Sequence, residues 1–298
     1  TDSAISFISK NKKNPFVLML SYGPPHDPYF SAPEEFQKLY DASKLQLRAN
    51  VPEEFQDSAR RVLAGYYAHA TAIDHAFGKL IRSLDSLGIS DQTLVLFTSE
   101  HGDMLMSKGV LKKQRPWDES IKVPMLIRYP EKLGNRSRRI KNPIGTPDLL
   151  PTLLGLSSVK IPESVEGRDF SEELLSGKDI SSDGALIMLP VPFHEWRFAN
   201  GGREYRGIRT QRYTYAKDLK GPWLLYDNQT DPYQMNNLAG NPEFKELQDQ
   251  MEKLLQKKLA ERKDEFLPAD EYMTRWNYLY DRNDSLRVAN YLDVNRLP

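Results

Sequence analysis

Short apolar runs in the first half of the chain predict strands that are buried on both faces. The runs are residues 16–20, 94–97 and 124–127. Their apolar side chains are consecutive rather than alternating, as is typical of strands in a parallel sheet covered by helices. Residues 57–87 separate the first two runs and carry apolar residues at helical spacing, with Gly88 as a stop signal. This strand, helix and strand order predicts an α/β fold with a mostly parallel central sheet flanked by helices.

The second half of the chain predicts a small α+β subdomain. The composition becomes small and polar around residues 176–184, which divides the chain into domains at 1–182 and 183–298. Short strands joined by tight turns are predicted at residues 205–210, 213–217 and 223–226. A charged helix should follow to about Lys263 and bury the apolar residues of one face. The simplest arrangement is an antiparallel sheet with this one helix packed against it.

Charge and cysteine content narrow the classes of function. The chain has 41 basic and 41 acidic residues, a balance that argues against a nucleic-acid or membrane-surface protein. There is no cysteine, so the chain contains no disulfide and no thiolate metal ligand. No apolar stretch reaches membrane-spanning length. Residues 1–14 are polar, and we expect this sequence to begin inside a longer protein.

Polar clusters follow two of the apolar runs directly. The first run leads to His26 within a proline-rich loop, and the second leads to Glu100, His101 and Gly102. Because ligands bind beyond the carboxyl ends of the strands in an open parallel sheet, we expect His26 and His101 to share one edge.

Each cluster has a chemical and a structural interpretation. Glu100 and His101 are residue types that ligate a divalent metal, but a solvated turn after a strand explains them as well. His26, held by the surrounding prolines, could donate a hydrogen bond to a developing oxyanion or could lie in an ordinary surface turn. Lys113 could bind a tetrahedral oxyanion as a compact charge, or belong to a solvated basic loop.

Taken in order, these clusters resemble the type I sulfatases of the alkaline-phosphatase superfamily. The matching stretches are FVLMLSYGPPHDPY, YYAHATAIDHAFGKLIRSL, TLVLFTSEHGDM, KKQRPWDESIKVPMLIRYP and TPDLLPTLLGL. Further on, YRGIRTQRYTYAKD and LLYDNQTDPYQMNNLAGNPE are similar to the C-terminal subdomain of that family. The resemblance covers almost the whole chain from Asn14 to about Lys263, and the ordered set is more specific than any single stretch.

The resemblance implies roles for particular residues. His26 matches the family's histidine that contacts the sulfate ester, and Lys113 matches its lysine that binds a sulfate oxygen. Lys113 is chosen because it stands four residues before Trp117, and Lys112 is the neighbouring alternative. Glu100 and His101 match the adjacent pair that helps to bind calcium. In the intact enzyme, hydrated formylglycine attacks the sulfur, while calcium and basic residues neutralise the sulfate oxygens.

The sequence departs from the family in two places. Glu100 stands where the family usually has aspartate, so the carboxylate is displaced by one methylene. The Cys- or Ser-x-Pro-x-Arg motif that supplies formylglycine does not occur in the chain, nor does the Asp-Asp metal pair that precedes it. We therefore expect an N-terminal half of the sulfatase domain as a covalent or separate partner, and no activity from this chain alone.

The resemblance implies a substrate class but not a particular substrate. A sulfated small molecule or glycan is expected, and the family favours a secreted or periplasmic location. Within the C-terminal subdomain, His194, Trp196 and Arg206 are candidates for substrate contacts, although aromatic and arginine side chains equally suit an interface. The alternatives are a phosphodiesterase or phosphonate monoester hydrolase of the same superfamily, and a non-catalytic remnant that binds sulfated glycans.

Overall fold

The computed structural model describes residues 1–180, 182–280 and 286–288. They form two compact units, of which the first comprises Thr1–Lys112 and Lys122–Arg138. The second comprises Lys113–Ile121 and Arg139–Pro298. This division follows packing and differs from the boundary after residue 182 that composition predicts. That boundary, which concerns domains rather than packing, stays a prediction.

Helices and strands are numbered here in chain order. The helices are α1 (Asp2–Asn11), α2 (Glu34–Gln37), α3 (Gln56–Ser86), α4 (Asp118–Ile121), α5 (Pro130–Leu133), α6 (Leu149–Leu156), α7 (Ser171–Ser176), α8 (Lys245–Glu261) and α9 (Ala269–Arg275). The strands are β1 (Val95–Thr98), β2 (Met125–Arg128), β3 (Ala185–Leu189), β4 (Tyr205–Arg209), β5 (Tyr213–Asp218), β6 (Gly221–Asp227), β7 (Tyr278–Tyr280) and β8 (Leu286–Val288). Within the described residues, no helix is both long enough and apolar enough to cross a membrane.

The first unit is organised around the long helix α3, which confirms the helix predicted at residues 57–87. Its buried face includes Val62, Ala68 and Leu84. Strands β1 and β2 coincide with the second and third apolar runs and pair antiparallel, with Phe97 opposite Leu126. The parallel part of the predicted sheet is therefore not represented by pairing among the described strands.

The strand predicted at residues 16–20 is wrong for this structure. The segment has no strand partner among the described residues, and the Val17 side chain is 94% exposed. An apolar run becomes a buried strand only when neighbouring strands satisfy its backbone groups and cover its side chains. The apolar run shows that this segment could pack as a buried strand, but it does not show that neighbouring strands are present.

The second unit contains a four-stranded antiparallel sheet in the order β3-β4-β5-β6. Ile208, Tyr215 and Leu225 of the sheet pack with Leu255 and Leu259 of α8 in one buried cluster. This confirms the antiparallel sheet with one packed helix, and three of its strands were predicted. Strand β3 and helix α9 were not predicted. The β3 segment, ALIML, is a continuous apolar run like those of β1 and β2 and was overlooked, whereas the α9 segment carries no clear period.

Candidate functional site

The loop that carries His26 is fixed against helix α3. A side chain at Gly65 would meet the Tyr29 carbonyl oxygen, which lies 2.2 Å from the position of a β-carbon there. The buried His69 ring, also on α3, lies with Nε2 3.1 Å from Ser31 Oγ. Glycine at position 65 thus lets the loop backbone approach the helix closely.

Asp27 lies against both the His26 ring and the Lys112 ammonium. His26 Nδ1 is 3.1 Å from the Asp27 carbonyl oxygen and 2.9 Å from Asp27 Oδ1, the latter without hydrogen-bond geometry. The Lys112 ammonium is 3.7 Å from the other carboxylate oxygen, Asp27 Oδ2. Both of these His26 contacts are made through Nδ1 rather than Nε2.

Strand β1 ends at Thr98, and Glu100 and His101 follow it after one residue, Ser99. His101 Nδ1 lies 2.7 Å from the Gly102 carbonyl oxygen and must donate there, because a carbonyl oxygen only accepts. His101 Nε2 is therefore the nitrogen directed toward Glu100, whose Oε1 lies 3.3 Å away. The Glu100 side chain is 88% exposed, so its carboxylate is accessible to a ligand.

His26 and His101 lie together, as the sequence predicts. Their ring centroids are 5.7 Å apart, with the rings at 70° to one another. The expected cause was the shared edge of two parallel strands, yet residues 16–20 form no strand. The two loops are joined through tertiary contacts instead.

Asp103 supplies the main contact between these loops, and sequence reasoning missed it. The Tyr29 hydroxyl donates to Asp103 Oδ2 at 2.8 Å, while the backbone N–H groups of Leu105 and Lys112 donate to Oδ1 at 2.9 and 3.0 Å. Burial and the hydrogen bond to Asp103 raise the pKa of Tyr29, so its hydroxyl stays a donor. The signal available in the sequence was an aspartate two residues after a candidate metal ligand.

The second unit contains a separate charged cluster around Glu195. The Lys113 ammonium lies 3.3 Å from Glu195 Oε1, and His194 Nδ1 lies 2.9 Å from Glu195 Oε2. Burial alone raises the pKa of Glu195, but the His194 hydrogen bond, a backbone N–H and the Lys113 charge together lower it to about 2. The carboxylate is therefore ionised throughout the neutral range.

Aromatic stacking supports this cluster from behind. Trp196 is 5% exposed and stacks on Trp223, with ring centroids 6.0 Å apart. The Arg115 guanidinium lies 5.5 Å from the centre of the Trp196 ring, and the backbone N–H of Trp196 donates to Gln114 Oε1 at 3.2 Å. The turn that carries His194 and Glu195 is thus tied to the segment that carries Lys113.

The residues after Lys113 fasten its segment to the sheet. The Arg209 guanidinium of β4 donates to both carboxylate oxygens of Asp118, at 2.8 and 2.9 Å. The Trp117 indole N–H donates to the Tyr226 hydroxyl at 3.4 Å. A bidentate arginine–carboxylate pair fixes orientation as well as distance, so Asp118 and Trp117, the residue from which Lys113 was located in the sequence, hold this segment in place.

Two of the predicted substrate contacts are buried. Arg206 is 1% exposed, and its guanidinium donates to Asp264 at 2.6 and 3.1 Å and to the Tyr272 hydroxyl at 2.9 Å. Trp196 is covered by its stacking partners, as described above. The structure therefore gives both side chains packing roles, since neither presents surface to a ligand. Of the three candidates, His194 has the exposed side chain, at 51%.

The donor atoms available for calcium are those of Glu100 and His101. Calcium prefers several oxygen ligands, so an accessible carboxylate fits the ion and an imidazole is the less usual partner. No group of three or more His, Cys, Asp or Glu side chains suited to hold a metal occurs within residues 1–180, 182–280 and 286–288. The pair therefore fits as part of a calcium site that needs further ligands. Lys113 belongs to the other unit, and its joint contact with His26 on one sulfate stays a prediction.

Comparisons with known proteins agree with the resemblance. The Sulfatase family matches residues 1–159, and the family described as N-sulphoglucosamine sulphohydrolase, C-terminal, matches residues 107–261. An ulvan-active sulfatase of Formosa agariphila is 44% identical over 289 residues, which cover 95% of this chain and 55% of that protein. The chain spans about half the length of the curated relatives it matches, with 55% and 51% for two of them.

Solved structures share the fold. A structure from work on glycosaminoglycan metabolism by Bacteroides thetaiotaomicron has a TM-score of 0.77 at 30% identity, covering 92% of this chain and 60% of that one. A phosphonate monoester hydrolase of Silicibacter pomeroyi has a TM-score of 0.71 at 22% identity, covering 96% and 64%. The second likeness shows the fold alone, and together they confirm the predicted fold class. The chain belongs to the sulfatase family, within the alkaline-phosphatase superfamily.

Proposed function

We propose that the whole protein is a sulfuric ester hydrolase, and that this chain supplies part of its sulfate and metal site. The observation that carries the proposal is the pairing of His26 with His101, whose ring centroids lie 5.7 Å apart. These residues come from separate polar segments, and the family resemblance assigns both of them to the reacting centre. The relatives at 44% and 33% identity are described as an ulvan-active sulfatase and an endo-4-O-sulfatase, which supports the same reaction class.

The reaction needs a nucleophile that this chain does not contain. The family resemblance implies formylglycine, formed from the Cys or Ser of a Cys- or Ser-x-Pro-x-Arg motif. Residues of this chain would act around it. His26 would contact the sulfate ester through Nε2, because Nδ1 is turned toward Asp27. Lys113 would place a positive charge on a sulfate oxygen, where it stabilises charge that develops in the transition state.

Glu100 and His101 would hold calcium together with ligands from outside this chain. When bound, the ion supplies positive charge to the sulfate oxygens. The Glu100 carboxylate is exposed and lies 3.3 Å from the fixed His101 ring, so it can turn toward an ion without breaking a buried contact. His101, whose Nδ1–H is fixed on the Gly102 carbonyl, either ligates through Nε2 or orients Glu100.

We further propose a sulfated polysaccharide as the substrate class. The support is the 44% identical relative, which is described as active on ulvan. A polysaccharide does not cross a membrane unaided, so an enzyme that acts on one must meet it outside the cytoplasm. This argument favours a secreted or periplasmic location for the whole protein.

A polypeptide that joins this chain to a formylglycine-bearing sulfatase segment tests the proposal. We expect release of sulfate from ulvan oligosaccharides in the presence of calcium, and loss of that activity with His26→Ala. Binding of the oligosaccharides without release of sulfate would instead favour a glycan-binding remnant. Faster turnover of an aryl phosphonate than of the matching aryl sulfate would favour the phosphonate hydrolase alternative.

A further inference from the structure

We infer that Glu195 is a positioning residue that holds the Lys113 ammonium and the His194 imidazole in one arrangement facing the substrate sulfate. This inference rests on the proposed function, because Lys113 is the side chain proposed to bind a sulfate oxygen. Glu195 itself would not touch the substrate, since a carboxylate repels a sulfate ester. It acts through the two basic side chains that it holds.

The geometry places one basic group on each oxygen of the carboxylate. Lys113 Nζ lies 3.3 Å from Oε1, and His194 Nδ1 lies 2.9 Å from Oε2. The Glu195 side chain is 14% exposed, whereas that of His194 is 51% exposed. The Lys113 side chain is 20% exposed, so the carboxylate and the ammonium are both sheltered, and His194 is the basic partner that reaches solvent.

The backbone around Glu195 is fixed independently of the charges. His194 has φ 50°, a left-handed conformation that is uncommon for a residue with a β-carbon. The backbone then forms a short 3₁₀ turn, His194–Trp196, and the backbone N–H of Trp196 donates to Gln114 Oε1 at 3.2 Å. A strained conformation persists only where its surroundings determine it, and here the stacked Trp196 and Gln114 do so.

The Glu195 pair differs from other lysine–glutamate pairs in the same unit. Lys217 and Glu252 lie only 2.7 Å apart, but that pair joins β5 to α8 and has no histidine on its second oxygen. There the second oxygen accepts from the Tyr215 hydroxyl, at 2.8 Å, in a packing contact. Glu195 instead uses both oxygens for basic groups, and one of these groups, Lys113, is the residue that the family resemblance assigns to sulfate. Lys217 and Glu252 therefore serve as the matched control.

Amine labelling of the chain tests the arrangement without any need for turnover. Lys113 acylation by a limiting amount of acetic anhydride is measured by mass spectrometry, with Lys217 as the internal reference. Loss of one partly buried ion pair should speed Lys113 labelling about threefold in Glu195→Gln, because the ammonium is no longer held by a carboxylate. Glu252→Gln should speed the labelling of Lys217 and leave Lys113 unchanged.

Kinetics of the joined, formylglycine-bearing enzyme test the consequence for sulfate. Glu195→Gln should raise KM for an aryl sulfate and lower kcat/KM by up to about 10²-fold, as expected when a positioned charge moves by about 1 Å. Glu195→Asp, which keeps the charge, should recover part of that loss. Glu252→Gln should leave both constants unchanged.

The outcomes separate this inference from the proposed function. Unchanged Lys113 labelling and unchanged kcat/KM in Glu195→Gln would overturn the role of Glu195. Circular dichroism checks that each variant is folded, and if Glu195→Gln is not, the comparison is made with Glu195→Asp. Absence of sulfate release by the unmutated enzyme would count against the proposed function, whereas faster Lys113 labelling in Glu195→Gln would still support the arrangement.

Discussion

The chain contains two pairs of adjacent glutamate and histidine, and the structure anchors opposite members of each pair. In the first unit the His101 ring is fixed on the Gly102 carbonyl, while the Glu100 side chain is 88% exposed. In the second unit the Glu195 side chain is 14% exposed, while that of His194 is 51% exposed. An exposed carboxylate beside a fixed imidazole suits a cation. A sheltered carboxylate that holds two basic groups suits an anion. The same two residue types are thus presented differently, because their burial and their charged partners differ.

The largest expected effect is a loss of stability when a buried arginine of the second unit is removed, compared with an exposed one. Arg206→Ala should lower the free energy of unfolding by about 3–5 kcal/mol, because Asp264 is left as an uncompensated buried charge. Arg212→Ala, which removes a pair with Asp227 whose arginine is 48% exposed, should change it by less than about 1 kcal/mol. Urea unfolding followed by circular dichroism measures both. Equal values for the two variants would contradict the packing role of Arg206.

The next effect concerns catalysis and the anion-facing pair. Lys113→Ala in the joined, formylglycine-bearing enzyme should lower kcat about 10²- to 10³-fold, as found when a transition-state charge partner is removed. Lys217→Ala is the control, since that lysine pairs with Glu252 in a packing contact. A loss with Lys112→Ala and none with Lys113→Ala would move the sulfate-binding role to Lys112.

A third test concerns the contact that joins the loops of the first unit. Tyr29→Phe removes the hydroxyl that donates to Asp103 at 2.8 Å, and it should lower stability by about 1.5–3 kcal/mol because the lost hydrogen bond is to a charged group. Thermal unfolding measures the change. Tyr40→Phe, which removes a hydroxyl contact with Thr71 on α3, should have the smaller effect expected of a neutral pair. The reverse order would show that Asp103 does not join the loops.

The pH dependence of stability tests whether the fold holds the Glu195 carboxylate in its ionised form. The pKa of Glu195 is lowered from 4.5 to about 2, so its ionised form stabilises the fold above pH 4.5, and that contribution is lost as the pH falls toward about 2. Glu195→Gln should therefore flatten the dependence of the unfolding free energy on pH in this range. Glu195→Asp, which keeps a carboxylate at this position, should retain more of that dependence than Glu195→Gln does. Unfolding in urea at several pH values gives both slopes.

The smallest effect is expected at the exposed carboxylate. Glu100→Asp restores the residue that the family usually has, and a carboxylate remains in both forms. We expect calcium affinity of the joined enzyme to change by less than about tenfold, which corresponds to about 1.4 kcal/mol. Glu100→Ala should cause a larger loss, since an oxygen ligand disappears. Calcium titration by calorimetry compares the three proteins, and equal affinities in all of them would exclude Glu100 as a ligand.

Several elements of the fold could be predicted because their signals are local. Helix α3 has a helical apolar stripe followed by Gly88, and the structure places it at Gln56–Ser86, within one residue of the prediction. Helix α8 and strands β4, β5 and β6 were predicted for the same reason. The ordered motifs around His26, Glu100 and His101 also lie within short stretches, so the family resemblance could be recognised from sequence.

Other features depend on residues that are distant in sequence. Asp103 and Tyr29 are 74 residues apart in the sequence, and Glu195 and Lys113 are 82 residues apart. No local pattern therefore predicts either contact. The exposure of Val17 and the burial of Arg206 are likewise decided by the neighbours that pack against them. The type of a residue predicts its average burial. Whether a particular side chain is buried depends on its tertiary contacts.

Three features can be assigned without coordinates: the family, the residue types that suit sulfate and calcium, and the elements whose periodicity is strong. They follow from local chemistry, which is the same in any packing. The shelter of Glu195 between Lys113 and His194, and the pairing of Arg206 with Asp264, instead depend on tertiary contacts. Burial and charge pairing are properties of the assembled surroundings, and they set which member of a Glu–His pair is exposed.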